Sequence, residues 1–262
     1  MSKKVNVIII RSAGTNCDQE TQFAFEDLSA NVDLVHINQL FQRKKHLDDY
    51  HILAIPGGFT YGDDIASGKI FANELRLKLA DDLKKFIHDG KLIIGICNGF
   101  QILVKAGILP GTNGLNQTTT LTTNDSGKFE DRWVHLKPGG HSVWTKGINR
   151  VVTLPVAHGE GKFIPQDDGI LKKIQDGGQV VFRYCNETGQ KPDYPENPNG
   201  SIDDIAGICD ATGRVFGLMP HPERHFFSTQ HPRWTRLHNK EKYGDGAAIF
   251  RSGIHYAEEK LL

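Results

Sequence analysis

Apolar residues are concentrated in four short runs in the first half of the chain. Each run is rich in β-branched residues and apolar almost throughout, which is typical of strands buried on both faces of a sheet. The runs lie at 5–10, 32–37, 51–56 and 91–96. Between the last two runs, apolar residues recur at spacings of four and three, which predicts a helix that covers the sheet: Leu75, Leu79, Leu83 and Phe86. Strands joined by helices in this way predict a parallel, doubly wound sheet.

The pattern changes after Pro110. Asn124 to Gly127 are predicted to turn one strand into another, and residues 210–213 are predicted to do the same later in the chain. The last stretch, 244–262, is predicted to form a helix. Residues 189–201 form a polar, proline-rich loop, but no long linker divides the chain. We therefore predict one α/β domain over 1–262: a mainly parallel, doubly wound sheet, helices on both faces and an added antiparallel section.

Composition and charge favour small-molecule chemistry. The 262 residues are 38% hydrophobic, and 31 basic residues balance 31 acidic ones. No global field therefore attracts nucleic acid or an anionic membrane, and we expect neither as a partner. The apolar run from Val5 is stopped by Arg11, too early for a secretory signal or a membrane span, which predicts a cytoplasmic protein.

The four cysteines are scattered without CxxC spacing. They are Cys17, Cys97, Cys185 and Cys209. Neither a zinc site nor a disulfide framework is predicted from this spacing, and we expect reduced thiols and no bound metal.

One cysteine lies in a motif that suggests a nucleophile. Gly95-Ile96-Cys97-Asn98-Gly99 has the form of the G-x-S-x-G nucleophile elbow, a sharp strand-to-helix turn, with a thiol in place of the hydroxyl. The turn brings the residues two before and two after the nucleophile together, so both must be small. It would place Cys97 at a helix N-terminus, where the dipole and free amides stabilise negative charge. On this stretch alone, a small buried hydrophobic cysteine is an equally good interpretation.

A cysteine nucleophile needs a base and a group that orients the base. In "GLMPHPERHF", His221 and Glu223 are two residues apart, so in an extended chain their side chains project to the same side. Pro222 favours extended geometry at His221. His221 can then face Cys97 while Glu223 binds the other imidazole nitrogen.

A glycine pair follows the third predicted strand, in "AIPGGFTYGDD" at 54–64. Ligands bind at the carboxyl ends of strands in open α/β sheets, so this loop is expected to border Cys97. Backbone amides of the Gly57, Gly58 and Phe59 segment, together with that of Asn98, are candidates for an oxyanion hole.

The order P-G-G, G-x-C-x-G-x-Q, P-H-P-E resembles the triad-type (class I) glutamine amidotransferases over nearly the whole chain. Further segments are similar to the glutaminases of phosphoribosylformylglycinamidine synthase: "AGTNCDQET", "GGFTYGDD", "PVAHGEGKF" and "NPNGSIDDIAGICDATGRVFGLMPHPER". The resemblance implies a Cys97–His221–Glu223 triad that hydrolyses glutamine, and contact between Gln101 and the bound glutamine. It also implies a synthetase subunit that uses ATP and magnesium, a small accessory subunit as an optional component, and no cofactor in this chain.

Several interpretations stay open at this point. The acceptor pathway could be that of histidine, GMP or pyridoxal phosphate synthesis, and a DJ-1/PfpI-like cysteine protein or a non-catalytic interaction subunit are further alternatives. His158 and Glu160 in "AHGEG" could close over the pocket, contact a synthetase or belong to a structural loop. The segment 225–244 is longer than expected for a compact free-standing glutaminase, and Cys17 is assigned no chemistry.

Overall fold

The structure, a computed structural model, describes residues 4–237 and 241–262. Residues 1–3 of the predicted domain and residues 238–240 of the segment 225–244 lie outside the described residues. The strands are β1 (Asn6–Arg11), β2 (Asn31–His36), β3 (Ile52–Ile55), β4 (Leu92–Ile96), β5 (Thr112–Leu115), β6 (Thr119–Thr122), β7 (Glu130–Pro138), β8 (Val152–His158), β9 (Lys162–Pro165), β10 (Val180–Cys185), β11 (Ile205–Cys209) and β12 (Val215–Leu218). The helices are α1 (Asp18–Asp27), α2 (Ile37–Phe41), α3 (Lys69–Lys78), α4 (Ala80–His88), α5 (Asn98–Lys105), α6 (Asp168–Asp176) and α7 (Asp245–Lys260).

One nine-stranded sheet organises the fold, in the order β2-β1-β3-β4-β12-β11-β10-β7-β8. Neighbours from β2 to β12 are parallel. Those from β12 to β8 are antiparallel. The four predicted parallel strands are therefore confirmed, and their ends differ from the predicted ends by about one residue or less. The antiparallel section and the C-terminal helix are confirmed as well.

The strand order reverses between β1 and β3, since β2 lies on one side of β1 and β3 on the other. With right-handed connections, this reversal places α1 on one face of the sheet and α3 and α4 on the other. The segments that leave the carboxyl ends of β1 and β3 meet there, where Thr15 and Gly58 form an isolated antiparallel bridge. A ligand crevice is expected at such a reversal.

The core explains why the apolar runs are continuous. All residues of β3 and β4 are buried, because these strands are central and covered on both faces. The run at 32–37 behaves differently: β2 is an edge strand and most of its residues are only partly buried. Within the described residues, the structure contains no helix both long and apolar enough to cross a lipid bilayer.

One local prediction needs correction. The single helix predicted from the Leu75 to Phe86 stripe is wrong: the backbone turns at Leu79 (φ −127°), which ends α3 and caps α4. The stripe persists because all four side chains stay buried across the break. The acidic pair Asp81 and Asp82 in the first turn of α4 was the available sign of a new helix N-terminus.

The turn at 124–127 does join two strands, β6 and β7, but they do not pair with each other. β6 pairs with β9 in a separate two-stranded sheet, whereas β7 pairs with β8 and β10. The turn at 210–213 joins β11 and β12, which do pair antiparallel as predicted.

The described part of the segment 225–244 packs on the outside of the sheet and α1. Phe226 and Phe227 make edge-on contacts with Phe23 of α1. The His231 ring lies 4.8 Å from that of Trp133 in β7. Phe226 and His231 of this segment are thus buried, whereas Trp234 is 46% exposed.

Candidate active site

Cys97 occupies a strained turn between β4 and α5. Its backbone has φ 51° and ψ −105°, a conformation that costs energy for any residue but glycine. A Cβ atom on Gly95 would lie 2.7 Å from the backbone carbonyl of Gly99, so the turn does bring these two glycines together. The Cys97 amide donates to Leu218 O at 2.8 Å, which ties the turn to the end of β12.

His221 follows β12 by three residues and is therefore delivered beside the Cys97 turn. Its amide donates to Pro155 O of β8 at 2.8 Å, and its Nδ1 lies 2.5 Å from Glu223 Oε1. Both side chains are buried. His221 is extended (φ −102°, ψ 94°), but the extended path predicted as far as Glu223 is wrong. Residues 222–225 form a 3-10 turn, and the carboxylate reaches the ring from that turn.

The electrostatics of the pair favour a charged imidazole. Burial alone would lower the pKa of His221, but the charge of Glu223 and the interactions with Cys97 and Cys17 outweigh burial and hold this pKa well above its usual value. Among the described residues, two buried atoms of the pair have no hydrogen-bond partner: His221 Nε2 and Glu223 Oε2. Since Nδ1 is taken by Glu223, Nε2 is the nitrogen left to exchange a proton with the thiol or a substrate.

The loop after β3 packs directly on this histidine. A Cβ atom on Gly57 would lie 2.8 Å from His221 Cε1, so only glycine fits without moving the ring. The Phe59 amide donates to Gly14 O at 2.8 Å. That amide is therefore committed within the loop, which corrects its assignment to the oxyanion hole in this conformation.

Asn98 and Gln101 connect α5 to the surrounding loops through their side chains. Asn98 Oδ1 accepts from Thr60 Oγ1 at 2.7 Å, and its Nδ2 donates to Gln101 Oε1 at 2.9 Å. Gln101 Nε2 donates to Glu160 O at 2.6 Å. Both ends of the buried Gln101 amide thus have protein partners, and its contact with bound glutamine stays a prediction.

Glu160 joins the loop after β8 to α5. Its carboxylate accepts from Ser67 N at 3.2 Å and from Lys105 Nζ at 3.4 Å. Burial lowers the pKa of Lys105, and the Glu160 charge opposes that shift. Glu160 therefore fastens the loop over α5.

His158 is buried behind His221 in a network of amide side chains. Its Nδ1 lies 3.1 Å from Asn124 Oδ1, and its Nε2 lies 3.5 Å from Asn199 Nδ2. Burial, assisted by the charge of His221, lowers the pKa of His158 to about 4, so this ring is neutral at pH 7. Of the roles left open for His158, this geometry supports the structural one.

Cys17 and Arg224 also contribute to the site, and sequence reasoning missed both. Cys17 Sγ lies 4.0 Å from His221 Nδ1, and Arg224 donates to Cys17 Sγ at 3.2 Å. The available signal was position, because Cys17 follows β1 at the carboxyl edge of the sheet. Among the described residues, one cluster of side chains could in principle hold a metal ion, with its ligand atoms within 4.8 Å of one another: Cys17, His221 and Glu223. The His221–Glu223 hydrogen bond already accounts for this proximity.

Comparison with known proteins assigns the chain to a family. Residues 4–257 match the CobB/CobQ-like glutamine amidotransferase domain. The chain belongs to the glutamine amidotransferases. It is 48% identical over 259 residues to phosphoribosylformylglycinamidine synthase subunit PurQ of Dehalococcoides mccartyi, covering 98% of this chain and 99% of the relative. It is 47% identical over 233 residues to the subunit of the same name from Methanococcus maripaludis, covering 87% and 85%.

A solved structure is similar to this chain as well. A chain in the structure of PurLQS from Thermotoga maritima superposes with a TM-score of 0.72 at 32% identity, covering 97% of this chain and 99% of that one. The doubly wound α/β architecture and the amidotransferase family are therefore established independently of each other.

Proposed function

We propose that this chain is the glutaminase subunit of a phosphoribosylformylglycinamidine synthase. The observation that supports it is the buried 2.5 Å Nδ1–Oε1 bond between His221 and Glu223, with Nε2 left free beside the Cys97 turn. This is the arrangement that thiol-based acyl transfer requires. It occurs in a chain that is 48% identical to a relative carrying that subunit's name.

The reaction begins with attack on glutamine. The Cys97 thiolate forms a C–S bond to the side-chain amide carbon, and the carbonyl π electrons move onto oxygen. The amides of Gly58 and Asn98 are the candidates to bind this oxyanion, because Asn98 is the first residue of α5 and the Phe59 amide is already hydrogen-bonded.

His221 then carries out the two proton transfers of the reaction. Its Nε2 donates a proton to the amide nitrogen as the C–N bond breaks, so ammonia leaves and a glutamyl thioester remains. The now neutral Nε2 takes a proton from water as the water attacks the thioester. The C–S bond then breaks, which releases glutamate and leaves the Cys97 thiolate beside the protonated His221, as at the start. Glu223 keeps the ring in the correct tautomer and stabilises its charged form throughout.

The ammonia is delivered to a synthetase subunit that uses ATP and magnesium to convert formylglycinamide ribonucleotide to its amidine. This step is supported by the relatives, which are named as subunits, and by the PurLQS structure that contains a similar chain. In this proposal the chain itself needs no metal or organic cofactor. A small accessory subunit completes the assembly where one is present.

Replacing the nucleophile tests the proposal. Cys97→Ala should abolish glutamine-dependent amidination by the complex, while ammonia-dependent synthesis should survive. The neighbouring thiol of Cys17 is not expected to replace Cys97, because it lies on the Nδ1 side of His221, where the ring is bound to Glu223. Cys185→Ala, at another buried cysteine, is the matched control and should retain both activities. Glutamate release and amidine formation are measured for each variant with its synthetase. Comparable glutamine hydrolysis by Cys97→Ala would show that Cys97 is not the nucleophile.

A further inference from the structure

The second carboxylate oxygen of Glu223 is left without a partner beside an arginine. Glu223 Oε2 is buried, and none of the described residues hydrogen-bonds to it. An unpaired oxygen of a buried carboxylate is costly, and a guanidinium is the strongest partner it could take. Arg224 is the next residue in the chain, yet it donates elsewhere: Nε to Glu20 Oε1 at 3.0 Å and Nη2 to Cys17 Sγ at 3.2 Å.

Cys17 contacts both the arginine and the catalytic pair. Its Sγ lies 4.0 Å from His221 Nδ1, and a ligand-type oxygen of Glu223 lies within 4.8 Å of the same sulfur. The residue is only 1% exposed, and its amide donates to Gly57 O at 3.2 Å. The thiol thus lies at the point where the loops after β1 and β3 meet the triad.

Cys17 is a neutral acceptor at this point. Burial raises its pKa to about 11, against the opposing interaction with His221, so the side chain is a thiol at neutral pH. A thiol can accept the Arg224 hydrogen bond without adding a negative charge that would compete with Glu223 for the imidazolium.

We propose that Cys17 is a positioning residue of the triad, whose thiol holds the Arg224 guanidinium by a hydrogen bond and so keeps it from pairing with Glu223 Oε2. This inference rests on the proposed glutaminase function for its kinetic readout. Without the thiol acceptor, Arg224 turns to Oε2, and part of the Glu223 charge is neutralised. His221 then loses stabilisation of its protonated form.

The charged and titratable groups around His221 come from four elements. Cys97 comes from the elbow, and His158 comes from β8. Cys17 is the residue just before α1, and Glu223 and Arg224 come from the 3-10 turn. His158 is neutral at working pH, and Cys97 is unchanged by the substitution. A change at Cys17 therefore alters two things: the thiol's own contact with His221 and the position of Arg224 relative to Glu223. Removing Arg224 as well separates the second effect from the first.

Two substitutions separate hydrogen-bond acceptance from space filling. Cys17→Ser keeps an acceptor but fills less space, whereas Cys17→Val fills the space but cannot accept a hydrogen bond. Glutaminase kinetics of the complex with its synthetase are measured across its active pH range, and the His221 ring is titrated by NMR. Cys185→Val, at a buried cysteine of β10, is the matched control.

We expect Cys17→Ser to keep kcat within about threefold of wild type, and Cys17→Val to lose about tenfold or more in kcat with little change in KM. The basic limb of the profile should move to lower pH in Cys17→Val, because the imidazolium has lost stabilisation. The double variant Cys17→Val/Arg224→Met should recover most of the lost rate, because the competing cation is gone.

A lower kcat in Cys17→Ser than in Cys17→Val would overturn the proposal. Loss of rate in Cys17→Ser with retention in Cys17→Val indicates a space-filling role, and a double variant no better than Cys17→Val removes Arg224 from the explanation. The proposed glutaminase function fails separately, if the wild-type complex does not hydrolyse glutamine. In that case the NMR titration still decides: an unchanged His221 pKa in Cys17→Val contradicts the positioning role.

Discussion

At the scale of single residues, the chemistry depends on which atoms of the site lack partners. His221 Nδ1 is bound to Glu223, so among the described residues Nε2 is the ring nitrogen without a partner, and the proposed proton transfers use it. The charge on Glu223 is what offsets the burial of the imidazolium, since burial of this ring otherwise favours the neutral form. An uncharged group at position 223 should therefore preserve the hydrogen bond and lose the charge stabilisation.

Glu223→Gln tests the charge apart from the hydrogen bond. An amide can still accept from Nδ1, so folding should be retained, but kcat should fall by about 10²–10⁴-fold with a smaller effect on KM. Steady-state kinetics and thermal melting give the two readouts. Glu259→Gln is the control, because Glu259 is an exposed carboxylate of α7 that lies 3.2 Å from His255 and away from the site. An unchanged rate in Glu223→Gln would leave a Cys–His dyad.

At the scale of elements, the site is assembled by loops that leave the carboxyl ends of strands. The segment after β1 hydrogen-bonds to the loop after β3 through Asn16 N and Cys17 N, both of which donate to Gly57 O. That loop packs against the His221 ring, and Asn98 Oδ1 binds its Thr60 hydroxyl. Movement of the loop after β3 is therefore expected to reach His221 and also α5, the helix that begins directly after Cys97.

Gly57→Ala tests this coupling. The added Cβ would lie 2.8 Å from His221 Cε1 and 3.0 Å from Cys17 Sγ, so the ring must shift. We expect a loss in kcat of about tenfold or more, because a displacement of this size disrupts catalytic alignment, while the chain stays folded by circular dichroism. Gly159→Ala is the control, since its Cβ would meet only Phe129, at 4.0 Å. Equal rates for the two variants would contradict the coupling.

At the scale of the whole molecule, the chain has a buried triad arrangement, and its relatives are named as subunits of a larger enzyme. The loop at 57–61 contains Tyr61 in a left-handed conformation (φ 56°), and its Phe59 amide is bound to Gly14 O. Such a loop can rest in one state and adopt another when a partner binds.

The isolated chain should accordingly be a poor glutaminase. We expect glutamine hydrolysis to rise by about tenfold or more when the synthetase, any accessory subunit and nucleotide ligands are added, because docking selects the productive loop conformation. The two rates are measured at equal chain concentration, with the Cys97→Ala complex as background. Equal rates would rule out gating and leave the triad assignment untouched.

The sequence by itself determined the features that depend on neighbouring residues. The apolar runs predicted β1, β3 and β4 because burial on both faces of a strand requires apolar residues throughout. The same kind of run predicted β2, although β2 is an edge strand that is mostly partly buried. The spacing of Gly95, Cys97 and Gly99 predicted the elbow because its steric demand is local. His221 and Glu223 are two residues apart, so their pairing could also be predicted, although the 3-10 turn that achieves it could not.

Only the tertiary structure decided the features that depend on residues far apart in the chain. The pairing of β12 with β4 places His221 beside Cys97, and no local pattern encodes which strands become neighbours. The contacts of Cys17 with Arg224 and of Gly14 with Phe59 arise for the same reason. The sequence lists donors and acceptors, but packing decides which of them meet, and hence which atoms remain free for chemistry.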